Sequence, residues 1–115
     1  MSETVGRFGV VLVTARTELE ARAIAQTLVQ SNLAACVNFY PIQSIYTWQG
    51  KTQQDPEWQL VIKTDLQRFT ELEAKIQEVH SYDVPEIIAL PIQAGSSAYL
   101  DWVAAQTTPS AEAHQ

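Results

Sequence analysis

A chain of 115 residues, 46% of them apolar, is enough for one domain and buries roughly two thirds of its unfolded surface. A formal net charge of −6 argues against a nucleic-acid binder, because phosphate backbones need a basic footprint, and it mildly favours cations near the surface. No apolar run is long enough to span a bilayer, so no membrane role is expected, and the lone cysteine, Cys36, excludes an intrachain disulfide and points to the cytoplasm.

Near the N-terminus Glu3 and Arg7 precede only a short apolar run, too brief and too acidic for a secretory signal. Phe8–Val13 is continuously apolar, as expected of a strand covered on both faces. Thr17-Glu18-Leu19-Glu20 matches a capping box, with hydroxyl and carboxylate satisfying free amides reciprocally. Ala21, Ile24, Ala25 and Leu28 then recur at helical spacing and predict a helix over roughly 18–32. A second strand is expected over Ala35–Tyr40, broken at Pro41 by a bulge or an edge and resumed at Ser44–Trp48. Gln49-Gly50 supplies a turn, and Trp58–Lys63 alternates as a third strand, giving a long projecting hairpin.

Thr64-Asp65-Leu66-Gln67 is a second capping signal, and Phe69, Leu72, Ile76 and Val79 mark a helix over roughly 66–80. A fourth strand follows at 86–92, and Gly95-Ser96-Ser97 opens a short third helix through Tyr99, Trp102 and Val103. The order βαββαβ plus a terminal helix predicts an α+β, ferredoxin-like sandwich over 1–106. Residues 107–115, small and polar with Pro109, are expected to be a frayed tail.

Chemistry concentrates in His80-Ser81-Tyr82-Asp83-Val84-Pro85-Glu86, a helix-to-strand connection holding an imidazole, a phenol and two carboxylates. Such a loop can bind a divalent metal, move a proton or hold a small polar ligand. Six positions separate His80 from Glu86, about 20 Å in an extended chain, so they meet only if Ser81–Asp83 bends the loop back. The alternative is a histidine on the helix dipole beside a solvated carboxylate. Cys36 reads either as a small buried hydrophobe or as a soft copper ligand. Asn38, Tyr40, Tyr46 and Trp48 on the hairpin, with Tyr99 and Trp102, form either an intersubunit surface or cleft walls. Arg16 has no glycines beside it to cradle a phosphate, and His114 lies in the tail. Gly-x-Ser-x-Gly, His-Glu-x-x-His and Cys-x-x-Cys are all absent.

Leu33-Ala34-Ala35-Cys36-Val37-Asn38, Ser44-x-Tyr46-x-Trp48-x-Gly50-Lys51, Leu60-x-Ile62-Lys63-Thr64, His80-x-Tyr82-x-x-Pro85-Glu86-Ile87-Ile88-Ala89-Leu90-Pro91-Ile92 and Tyr99-Leu100-x-Trp102 occur in that order. This collinear set resembles the CutA divalent-cation tolerance family from about Val10 to Val103. The resemblance implies a cytoplasmic homotrimer held by the extended hairpins, with Tyr46, Trp48, Trp58 and Trp102 at the interface. It also implies tolerance of copper or another divalent metal ion, and an intersubunit cleft. There His80 and Glu86, with Cys36, are the metal candidates, and Tyr82, Lys63 and Asn38 the ligand-cleft candidates. Two departures stand out, Ser81 where the family has proline and Ile42 where it has glycine, and Pro41–Ser44 is one residue short. Two functions follow: a non-enzymatic trimer binding divalent metal through His80 and Glu86, or a sensor reminiscent of PII-type signalling proteins. In the second, a small molecule fills the cleft and the hairpins relay occupancy to a partner protein. An acylphosphatase-type enzyme would need a phosphate-cradling loop, and Thr14-Ala15-Arg16-Thr17 is a poor one.

Overall fold

The computed structural model describes residues 6–109. Its first strand, β1 (Phe8–Ala15), lies inside a four-stranded sheet ordered β2-β3-β1-β4, with β2 spanning Cys36–Trp48, β3 Lys51–Asp65 and β4 Ile88–Pro91. All three pairings are antiparallel. Helices α1 (Glu18–Gln30), α2 (Phe69–Val79) and α3 (Ser97–Gln106) complete the expected α+β, ferredoxin-like order.

Strand alternation decides which side chains meet the helices. Val11, Val13 and Ala15 of β1, with Leu60 and Ile62 of β3, are buried with Ile24 and Leu28 of α1 and Leu72 and Ile76 of α2. Phe8 has the opposite parity and packs with Leu100 and Val103, so α3 covers one end of the sheet's other face. At Gly9 the sheet is tight, since a Cβ there would lie 2.7 Å from the Leu90 carbonyl oxygen and 2.8 Å from the Leu66 side chain.

Local chemistry moves several expected boundaries. Helix α1 stops at Gln30, because Ser31 caps it and Asn32 takes a left-handed φ of 59°. The second helix begins as a 3-10 turn at Leu66–Arg68, with Asp65 accepting from the Gln67 amide at 2.9 Å. The expected break at Pro41 is absent. Strands β2 and β3 pair one-to-one from Cys36↔Lys63 to Trp48↔Lys51, and Gln49-Gly50 turns the chain with both φ positive.

The reason lies in edges. A proline cannot donate across a pair, so Pro41↔Trp58 must be a non-bonded pair with the Pro41 nitrogen facing outward, and Gln43↔Pro56 shares its parity. Both nitrogens face open sides, since β2 is an outer strand and β1 pairs with β3 only from Trp58 onward. The seven residues of β3 before Trp58 therefore form, with β2, an arm reaching about 24 Å past the sheet. At the far end of α3 Thr107 is buried. It is 2% exposed, and its hydroxyl donates to the Val103 carbonyl at 2.7 Å. Residues from 110 on, His114 among them, lie outside the described residues.

Candidate functional site

The end of β1, the arm and the loop after α2 enclose a cleft of about 1150 Å³. Alternation places Ser44, Tyr46 and Trp48 of β2 on the same face of the arm as Asp55 and Glu57 of β3, and these form one wall. Ser81, Tyr82, Asp83, Val84 and Glu86 form the other, with Thr14 and Arg16 between them.

His80 holds the loop in place. Its side chain has no exposed surface, and the two ring nitrogens have different partners. A carbonyl can only accept, so Nε2–H donates to the Thr14 oxygen at 2.7 Å. A backbone amide can only donate, so Nδ1 accepts from Tyr82 N–H at 3.0 Å. Together these contacts specify the neutral ring protonated on Nε2. The Tyr82 ring packs on the imidazole with centroids 4.8 Å apart.

Glu20 contributes where the sequence pattern pointed only to helix capping. Thr17 Oγ1 accepts from the Glu20 amide as expected, at 3.1 Å. The Glu20 carboxylate does not return to Thr17 but accepts from Arg16 N–H at 3.2 Å and Ser81 N–H at 2.7 Å. It also lies 3.7 Å from His80 Nδ1. Burial opposes its ionisation, yet the hydrogen bonds from Ser81 and Arg16 hold its pKa below the ordinary value. The first turn of α1 is thereby tied to the first residue of the cleft loop.

Two phenols donate to two carboxylates: Tyr46 to Asp55, and Tyr82 to Glu57 at 2.7 Å. Burial and the Glu57 carboxylate push the Tyr82 phenol up to about 12. Glu86 makes no hydrogen bond among the described residues, and burial, followed by repulsion from Glu57, raises its pKa. The cleft is strongly acidic, with Asp55, Glu57, Asp83 and Glu86 set against Arg16, whose guanidinium lies 5.6 Å from the Tyr82 ring centre.

Tyr82 and Glu86 line one cleft, whereas His80 does not line it and instead accepts from the Tyr82 amide. The other candidates lie elsewhere. Cys36 pairs with Lys63, and Lys63 donates to Asn38, in rows of the sheet that do not line the cleft. Cys36 stands eight positions from Ser44, about 27 Å along β2. Tyr46 and Trp48 are exposed on the arm, Trp48 by 61%. Trp102 is half-exposed on α3 with its ring centre 5.5 Å from that of Tyr99. Trp58 instead turns toward the helices and packs with Phe39, centroids 6.3 Å apart, because its parity matches Leu60. Asp55 and Glu57 carry no motif, being two acids in a polar stretch whose alignment with the cleft depends on the hairpin register.

No group of three or more His, Cys, Asp or Glu side chains is placed to hold a metal ion among the described residues. Both His80 nitrogens are engaged and Cys36 is remote, so a single protomer does not fit a copper site.

The family model described as CutA1 divalent ion tolerance protein matches residues 9–106. A divalent-cation tolerance protein CutA of Thermus thermophilus is 48% identical over 99 residues, covering 85% of this chain and 96% of that protein. Protein CutA, chloroplastic, of Arabidopsis thaliana is 46% identical over 95 residues, covering 82% of this chain and 52% of that protein. Among solved structures, CutA1 from Oryza sativa superposes with a TM-score of 0.88 at 40% identity, covering 94% of this chain and 100% of that one. With the motifs, strand order and arm all in agreement, this chain belongs to the CutA1 divalent ion tolerance protein family.

Proposed function

We propose that the protein serves divalent-cation tolerance as a non-enzymatic homotrimer whose clefts are small-molecule sensing sites, with the arms relaying occupancy to a partner protein. The observation that carries this reading is the commitment of both His80 nitrogens to the backbone. An imidazole used that way shapes a pocket and has no lone pair left for a metal. The cytoplasm remains the proposed compartment, although relatives are described as chloroplastic in Arabidopsis and periplasmic in Archaeoglobus. A thermal-shift screen of metabolites in excess chelator tests the sensor, since a ligand binding only the folded state raises the melting temperature. Absence of any stabilising compound would count against it.

The trimer is supported by apolar surface without cover in one chain. Ile88 and Leu90 are about half exposed on the sheet face away from α1 and α2, beside Val10 and Leu12, and Tyr99 and Trp102 are likewise part-exposed on α3. Together with Tyr46 and Trp48 on the arm, they make a surface that sister copies bury. Sedimentation should show one species near three times the 12.8 kDa chain mass, and Trp48→Arg should weaken it. A monomeric wild type would refute the assembly.

A second reading, capture of copper or another divalent ion between subunits, is favoured by one observation. Glu86 is a carboxylate without a hydrogen-bond partner among the described residues, in a cleft that also holds Asp55 and Glu57. A neighbouring copy would have to supply the remaining donors. Calorimetric titration with Cu²⁺ on wild type and Glu86→Gln separates this reading, because equal binding excludes Glu86 as a ligand.

A further inference from the structure

We propose that the cleft takes a small organic cation, an ammonium or guanidinium group on an apolar stem, in preference to a metal ion. This identifies the ligand class of the sensing site and rests on that reading.

The argument starts from the donors the cleft offers. Its imidazole is sealed and its thiol is remote, so only hard oxygen donors remain. Those donors are spaced rather than convergent. Asp55 and Glu57 are two residues apart on one face of β3, about 7 Å along the strand, and each already accepts a phenolic hydrogen. A metal ion draws several donors to within about 2.0–2.6 Å of a single point. An elongated cation needs one carboxylate near each charged end, and between them it needs apolar surface.

The walls supply that surface. Tyr82 on the loop brings its aromatic ring to the same cleft as the acids. Aromatic faces attract ammonium and guanidinium groups, and the cleft already shows this pairing in its own Arg16, lying 5.6 Å over the Tyr82 ring. Arg16 thus occupies part of the space an incoming cation would use, while Glu86 is left without a partner among the described residues. The volume of about 1150 Å³ accommodates a chain of several heavy atoms.

Two substitutions with opposite expected signs test the proposal on the assembled protein. Calorimetry with cadaverine, in EDTA and at about 0.15 M salt, where exposed charges are screened beyond about 8 Å, should give saturable binding. Glu86→Gln should weaken it about tenfold, the loss of one charge-assisted contact, and Arg16→Gln should tighten it by removing the competing guanidinium. Damage to the fold would weaken both. No saturation, equal affinity in all three proteins, or loss of binding in both variants would overturn the proposal. If cadaverine fails while the metabolite screen finds a neutral or anionic ligand, this inference falls and the sensing role stands. If nothing binds in chelator, both fall.

Discussion

Replacing His80 with alanine is the most direct probe of how the cleft is held. The substitution removes a fully buried ring and leaves the Thr14 carbonyl and the Tyr82 amide without their partners. An unsatisfied buried group costs about 1–3 kcal/mol, and the vacated ring volume adds a cavity cost. The two groups alone come to about 2–6 kcal/mol, a large share of the about 5–15 kcal/mol by which a domain is stable. Urea denaturation with a fixed oligomer concentration should show that loss. His80→Gln, whose amide can still reach the Thr14 oxygen, should recover part of it. Cu²⁺ affinity, measured in parallel, should change little beyond what unfolding explains. A loss below about 0.5 kcal/mol with Cu²⁺ binding weakened more than tenfold would refute the reasoning and make His80 a ligand.

Four further expectations concern packing and protons. Gly9→Ala places a methyl against the Leu90 carbonyl and the Leu66 side chain and should cost about 1–3 kcal/mol by prying β4 from β1; an unchanged denaturation midpoint would show the sheet gives way freely. Glu86 has a raised pKa, so its ionisation is disfavoured by folding: Glu86→Gln should be more stable than wild type at pH 7, the gain vanishing as pH falls below 4.5. The depressed pKa of Glu20 has the opposite sign, so its contribution is present above 4.5 and lost as pH falls through the lower folded value; acid titration of Glu20→Gln should therefore be flatter than that of wild type. Tyr82, raised to about 12, should be the last phenol to ionise in an ultraviolet pH titration, and Tyr82→Phe should remove that final step.

Much of the fold could be read from the sequence, because local rules and tertiary packing agree there. The Thr17 cap, the helical spacing of Ala21 to Leu28 and the Gln49-Gly50 turn each match what their neighbours require. Pro41 misled because a proline speaks to one strand edge, while which edge lies free depends on the sheet order. At the cleft, Tyr82 and Glu86 were legible as a dense polar loop. Asp55 and Glu57 were not, since only the pairing register turns them to the same side as Tyr46. Glu20 was noticed for the wrong partner: its position marks a helix start, but burial and the amide of Ser81, sixty-one residues away, decide where its carboxylate goes. Trp58 shows the same limit, as its parity with Leu60 sends it inward.

The unbroken ladder of the arm, with its two outward-facing prolines, has a consequence for life at high concentration. Any foreign strand aligning alongside either border would find a missing hydrogen at Pro41 or Pro56, and zippering would halt within a few residues. A long exposed ribbon rich in aromatics is thereby kept from seeding fibrils.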